Sequence, residues 1–116
     1  MLPGAGSGKD SGMRRLTEEM FEREILQTPG AAVVWFYERL CPKCAMTRPF
    51  VEEIEKKYKK KIRFFEVEIS EEPALAARCG ADIVPVFLFA RDGRIRGFMK
   101  GAVGEGTLEK RIRELL

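Results

Sequence analysis

The sequence predicts an α/β fold in which a central mixed β-sheet of about four strands is flanked by helices on both faces. Two apolar runs, at 32–37 and 85–90, have the length and continuity of strands that are covered on both faces of a sheet. Segments with helical spacing lie between and after these runs, and Asp92-Gly93 is a strong hairpin signal. Alternating helices and strands followed by a hairpin predict a sheet that is parallel at first and antiparallel at its end.

The first half of the chain predicts two helices around one strand. Thr17 is a suitable N-cap for a first helix that runs to about residue 27. After the strand at 32–37, a second helix is expected over 41–59, with a kink at Pro49 because proline lacks an N–H donor and clashes with the preceding turn. The predicted apolar stripe of this helix is formed by Met46, Phe50, Val51, Ile54 and Tyr58.

The second half predicts further strands and two shorter helices. A strand over 62–69 precedes a short helix over 72–80, which has Pro73 in its first turn. The hairpin leads into a strand over 94–100, and the last helix is predicted to be capped by Thr107.

Length and composition indicate one folded domain and exclude several functional classes. The chain has 116 residues, 45% of them hydrophobic, and a net charge of +3, so it has enough apolar material for one core and no strong basic excess. No apolar run approaches the roughly 20 residues of a membrane-spanning helix. Residues 1–12 lack a signal-peptide core, and we expect them to be a flexible tail ahead of a domain at 13–116. We therefore expect a monomeric cytoplasmic protein that binds neither nucleic acid nor membranes.

The motif that carries chemistry is Cys41-Pro42-Lys43-Cys44. It opens the second helix, where unpaired backbone N–H groups and the helix dipole favour negative charge on Cys41. A thiolate is the nucleophile of disulfide exchange, and the ammonium of Lys43 favours the thiolate further. Cys44 follows three residues later, close enough to resolve a mixed disulfide. The spacing therefore predicts a redox-active dithiol.

Other uses of the cysteines stay open at this point. Cys-x-x-Cys can be half of a zinc site, but a closed site needs four ligands and the chain has three Cys and no His. An iron–sulfur or zinc dimer that uses Cys41 and Cys44 of two chains is the remaining metal alternative. Cys79 is expected to pack at a helix end as a small apolar residue, with a regulatory thiol as the minority alternative. The alternative function is a redox sensor that docks a partner without turnover.

From Leu16 to the C-terminus, the chain resembles the thioredoxin superfamily. The resemblance rests on the apolar strand before the Cys-x-x-Cys motif and on four companions with the family's order and spacing: Pro49, Ile83-Val84-Pro85, Asp92-Gly93 and Lys100-Gly101-Ala102. It implies a thioredoxin fold and a thiol–disulfide oxidoreductase that reduces or exchanges protein disulfides. It also implies that no metal or organic cofactor is needed. The implied partners are disulfide-containing client proteins and an electron donor, either a reductase or a small-molecule thiol.

The resemblance also implies residue roles. Cys41 would be the attacking thiolate and Cys44 the resolving thiol, with Pro42 and Lys43 between them. Pro85 would be cis and would shape a substrate groove in which the Val84 backbone pairs with an extended client segment. The exposed residues around this groove would be Leu40, Pro42 and Ile83.

This chain departs from the family pattern at several positions around the cysteines. Thioredoxins usually read Trp-Cys-Gly-Pro-Cys, whereas Leu40 precedes the motif here and Cys-Pro-x-Cys resembles glutaredoxins. The buried carboxylate that thioredoxins carry near the second cysteine falls on Trp35, and its lysine partner falls on Glu66. The usual deprotonation device is therefore absent. Glu66 or Glu38 could replace it only by pointing inward.

Overall fold

The protein folds as alternating helices and strands, seen in a computed structural model that describes residues 13–116. The expected tail at 1–12 lies outside the described residues. In chain order the elements are β1 (Arg14–Arg15), α1 (Glu18–Phe21) continued by a π-helical segment (Glu22–Leu26), β2 (Ala31–Tyr37), α2 (Pro42–Tyr58), β3 (Ile62–Glu68), α3 (Pro73–Arg78), β4 (Val86–Arg91), β5 (Arg94–Lys100) and α4 (Glu105–Arg113).

The strands form one mixed sheet in the order β1-β3-β2-β4-β5. β1 and β2 both pair in parallel with β3, whereas β2 with β4 and β4 with β5 are antiparallel pairs. The predicted mixed sheet, parallel at first and antiparallel at its end, is confirmed. The structure adds β1, a pair of arginines too short to give a strand signal. Because β2 is the central strand, the chain leaves the middle of the sheet just before the cysteine motif.

Apolar side chains fill both faces of the sheet. On one face Val33 and Trp35 of β2 pack in a cluster with residues of α2 and α4, and we call this the α2/α4 face. On the other face Val34 and Phe36 pack with residues of α1 and α3, and we call this the α1/α3 face. All seven residues of β2 are buried, as its continuous apolar run predicts. The expectation of helices on both faces is confirmed.

The predicted start of the first helix is confirmed, and the predicted start of the last is wrong. Thr17 is the N-cap of α1, and its Oγ1 accepts a hydrogen bond from the Met20 N–H at 3.3 Å. Thr107 does not cap α4. The N-cap is Gly104, whose extended backbone starts the helix without a side-chain cap, so Thr107 lies inside the first turn. None of the helices within residues 13–116 is long and apolar enough to cross a membrane.

The apolar stripe of α2 differs from the prediction at Met46, which is 72% exposed. The buried face includes Cys44, Thr47 and Val51. Met46 lies one residue before Thr47, which is about 100° around a helix of 3.6 residues per turn, so its side chain points away from the sheet. Pro49 lies inside α2, and the kink expected there stays a prediction.

Candidate active site

Cys41 and Cys44 lie at the N-terminal end of α2, just beyond the end of the central strand. Cys41 is the N-cap residue, and its Sγ accepts a hydrogen bond from the Cys44 N–H at 3.1 Å. Cys41 is partly exposed, Cys44 is 2% exposed, and both are free thiols. The pair therefore consists of one thiol that solvent can reach and one that is enclosed.

The surroundings of the two cysteines differ in whether they stabilise or destabilise a thiolate. Burial, and after it a hydrogen bond to Cys41, raise the pKa of Cys44 to about 12, against a smaller lowering by a hydrogen bond from the Glu38 backbone. Cys41, in contrast, receives a backbone N–H at a helix N-terminus, where partial positive charge stabilises an anion. This arrangement favours negative charge on Cys41 over Cys44.

Glu68, the last residue of β3, fixes the loop that joins β2 to α2. Its carboxylate accepts hydrogen bonds from the Arg39 N–H at 2.7 Å, the Ser70 N–H at 2.7 Å and the Ser70 hydroxyl at 2.5 Å. Burial would raise the pKa of Glu68, but the bonds from Ser70 and Arg39 outweigh it and hold the pKa below its ordinary value. The Cys41 N–H also donates to the Glu38 carbonyl at 3.1 Å. The backbone that leads into Cys41 is thus held by two hydrogen bonds, one from the Arg39 N–H to Glu68 and one from the Cys41 N–H to Glu38.

The segment before β4 carries the cis bond that the resemblance implies, between Val84 and Pro85. Val84 and Cys41 both pack against the cluster of the α2/α4 face, which also contains Cys44. Neither backbone group of Val84 is hydrogen-bonded to another residue within 13–116. The remaining predicted site residues are exposed and belong to neither core cluster: Leu40, Pro42, Lys43 and Ile83.

Comparison with known proteins identifies the family. The family model of thioredoxin matches residues 12–114. This chain belongs to the thioredoxin family. Thioredoxin 1 of Nostoc sp. is 28% identical to it over 106 residues, which are 91% of this chain and 99% of that protein. The thioredoxin of Chlorobaculum thiosulfatiphilum is 29% identical over 98 residues, which are 84% of this chain and 91% of that one.

A solved structure agrees with the sequence comparison. Oxidised mitochondrial thioredoxin 3 from Saccharomyces cerevisiae is 28% identical and aligns with a TM-score of 0.81, covering 90% of this chain and 96% of that one. Thioredoxins are thiol–disulfide oxidoreductases that act on disulfide substrates and receive electrons from a reductase. With the family's Cys-x-x-Cys dithiol at the start of α2, this chain is a thiol–disulfide oxidoreductase of that family.

The position that carries a buried carboxylate in other thioredoxins is filled here by Trp35, which lies opposite Glu66 in the sheet register. Arg48 of α2 stacks on Trp35 at 4.6 Å from the ring centroid, and its guanidinium lies 3.4 Å from Glu66 Oε1. The carboxylate of Glu66 therefore forms an ion pair with Arg48. The sequence alone does not indicate Arg48 or Glu68, because no motif marks them and their contacts depend on how α2 and β3 pack beside β2.

A cavity of about 180 Å³ reaches Cys44 beside these residues. It is lined by Trp35, Tyr37, Glu38, Arg39, Cys44, Ala45 and Arg48.

Cys79 lies away from the dithiol. It ends α3 and packs in the cluster of the α1/α3 face, whereas Cys44 belongs to the α2/α4 face. Burial is the main reason that the pKa of Cys79 is raised to about 11. The prediction that Cys79 packs at a helix end is confirmed.

Proposed function

We propose that this oxidoreductase reduces protein disulfides, with Cys41 as the attacking thiolate and Cys44 as the resolving thiol. The observation that carries this assignment is the hydrogen bond from the Cys44 N–H to Cys41 Sγ at the start of α2. It stabilises an anion on the exposed sulfur, while burial keeps the proton on the other.

The proposed reaction has two exchanges. The Cys41 thiolate attacks one sulfur of a client disulfide, so that a mixed disulfide forms and the other client sulfur leaves as a thiolate that takes up a proton. Cys44 then loses its proton and attacks Cys41 Sγ, which releases the second client thiolate. Two electrons pass from the dithiol to the client, and a donor thiol or reductase must reduce the Cys41–Cys44 disulfide again.

We propose that the client lies across the cis bond between Val84 and Pro85. The backbone groups of Val84, which bond to no other residue within 13–116, suit an extended segment that adds as a strand. Leu40 and Ile83, with exposed fractions of 91% and 76%, would supply the apolar contacts beside it. Pro42 would complete this surface, and the ammonium of Lys43 would favour the Cys41 thiolate.

The partners and compartment belong to the same proposal. We place the protein in the reducing cytoplasm as a monomer, with client proteins and a reductase or small thiol as its partners and no role in nucleic-acid or membrane binding. A working dithiol that must return to its reduced form supports a reducing compartment.

The test is insulin disulfide reduction with dithiothreitol as donor, using wild type beside Cys41→Ser and Cys44→Ser. We expect wild type to accelerate reduction, Cys41→Ser to lose that acceleration, and Cys44→Ser to accumulate a mixed disulfide through Cys41 that mass spectrometry detects. Cys79→Ser is the matched control and should keep wild-type activity, because Cys79 packs on the other face. A wild-type protein that forms a reversible Cys41–Cys44 disulfide yet does not reduce insulin would contradict the proposed turnover.

A further inference from the structure

The outer strand β5 carries cations that have no anionic partner among the described residues. β5 lies at one edge of the sheet and contains Arg94, Arg96 and Lys100 but no acidic residue. Within residues 13–116 every arginine outside β5 forms an ion pair with a carboxylate, whereas Arg94 and Arg96 form none. Lys100 donates to the Gly80 carbonyl at 3.2 Å. The positive charge of this edge is therefore available to an acidic partner.

The backbone of β5 also presents unpaired peptide groups at this edge. The Gly101 N–H donates to the Pro85 carbonyl at 2.8 Å, which makes these two residues a hydrogen-bonded pair. Because bonded and non-bonded pairs alternate along an antiparallel ladder, the N–H and C=O groups of Phe98 and Lys100 point away from β4. They bond to no other element within 13–116. This part of β5 can therefore accept a further strand.

Two half-exposed apolar side chains lie between the cations. Ile95 is 43% exposed and Phe98 is 41% exposed. In the sheet register they lie opposite Ala90 and Leu88, which belong to the core of the α1/α3 face. Residues that lie opposite each other in a ladder share a face of the sheet, so Ile95 and Phe98 extend this apolar layer to the edge. A strand added here would cover apolar surface as well as forming backbone hydrogen bonds.

We propose that the edge of β5 binds an extended acidic segment of the client protein, which adds to the sheet as a further strand. The inference rests on the proposed function, because the segment belongs to the same client whose disulfide Cys41 attacks. Its carboxylates would pair with Arg94, Arg96 and Lys100, and its backbone would bond to Phe98 and Lys100. Charge complementarity of this kind selects among partners, so the protein would prefer clients with an acidic extended segment.

The edge of β5 is continuous with the proposed client surface. Lys100 lies opposite Val86, and the bond from Gly101 to Pro85 joins the end of β5 to the segment before β4. From this end the seven residues of β5 extend about 20 Å, at about 3.3 Å per residue. An acidic segment of similar length can therefore follow the edge while the disulfide of the same client lies at Cys41.

Two other occupants fit the edge less well. Two-fold pairing with β5 of a second copy would bring together two strands that each carry three cations and no acid, and like charges on facing strands oppose pairing. A nucleic acid would meet the cations but has no peptide groups to continue the ladder at Phe98 and Lys100. Positive charge together with unpaired peptide groups therefore favours an acidic peptide segment.

The experiment compares two client peptides that differ only in charge. Each has one loop closed by a disulfide and a seven-residue extension, which is Thr-Glu-Val-Glu-Thr-Glu-Val in one peptide and has Gln in place of Glu in the other. Reduction is followed with dithiothreitol as donor. For wild type at low ionic strength we expect kcat/KM to be about fivefold to tenfold higher for the acidic peptide, as three exposed charge pairs would give. Because salt screens such pairs, the ratio should approach one at about 0.5 M NaCl.

A variant of the edge and a matched control locate the preference. Arg94→Gln/Arg96→Gln should reduce the ratio to below about twofold and leave kcat/KM for the Gln peptide within about twofold of wild type, because neither arginine contacts the dithiol. Lys59→Gln/Lys60→Gln removes the same charge from exposed positions after α2 and should keep the preference. A preference that the edge variant retains, or that the control also loses, would contradict a site on β5.

Binding without turnover is measured separately. Isotope-labelled wild type is titrated with the acidic extension alone, which contains no cysteine, and we expect the amide NMR signals of Phe98 and Lys100 to shift. Equal kcat/KM for the two peptides, or unchanged signals from β5, would overturn the inference. So would self-association of Arg94→Gln/Arg96→Gln in the absence of peptide binding by wild type, because the cations would then only protect the edge. If wild type reduced neither peptide, the proposed turnover would fail, and the titration would still decide whether the edge binds an acidic segment.

Discussion

Glu68 is a buried carboxylate whose hydrogen bonds hold the backbone ahead of the attacking cysteine. Replacing it with alanine leaves the Arg39 N–H and both donors of Ser70 without this acceptor. We expect Glu68→Ala to lower the free energy of unfolding by about 1–3 kcal/mol at pH 7, since hydrogen bonds to a charged group contribute about that much. Urea unfolding of both proteins measures the difference.

The pH dependence of this difference follows from the direction of the pKa shift. The pKa of Glu68 in the folded protein lies below the ordinary value of 4.5, so its charged form stabilises the fold above that pH, and this stabilisation is lost as the pH falls. The gap between wild type and Glu68→Ala should therefore shrink below about pH 4.5. Glu53→Ala, at an exposed position, is the control and should stay within about 0.5 kcal/mol of wild type. A gap that grows toward low pH would contradict the assignment.

At the scale of elements, the hairpin between β4 and β5 has a restricted backbone at Gly93. Gly93 has a φ of +81°, and a Cβ added there would lie 2.6 Å from the carbonyl oxygen of Leu26. We expect Gly93→Ala to destabilise the protein by about 1–3 kcal/mol, because both the strained φ and the contact oppose a side chain. Thermal unfolding followed by circular dichroism checks this. Gly106→Ala in α4, where a Cβ meets no atom within 4 Å, should instead stabilise by about 0.5–1 kcal/mol.

The individual helices and strands also show how much of the fold the sequence could predict. The central strands β2 and β4 were predictable because long apolar runs identify them without knowledge of their neighbours. β1 is two arginines that become a strand only by pairing with Phe65 and Glu66 of β3. The cysteine pair was predictable from spacing alone. The cavity was not, because it forms where side chains from β2, the following loop and α2 meet.

At the scale of the whole molecule, one sheet carries two separate apolar layers. Leu108 of α4 is fully buried on the α2/α4 face, and Leu75 of α3 is fully buried on the α1/α3 face. Both layers pack on side chains that alternate along the same strands, so neither layer can be lost without exposing the other side of β2 and β4. This arrangement predicts a single cooperative unfolding transition for the domain.

The single tryptophan tests that cooperativity. Trp35 lies on the α2/α4 face, so its fluorescence reports on the layer that does not contain Leu75. We expect Leu75→Ala to destabilise by about 2–5 kcal/mol, the usual cost of truncating a buried leucine. The urea midpoint should fall equally by tryptophan fluorescence and by far-ultraviolet circular dichroism. Leu116→Ala, at a position that is 50% exposed, should change either midpoint little. If Leu75→Ala shifted the dichroism midpoint but left the fluorescence midpoint unchanged, the two layers would be unfolding independently.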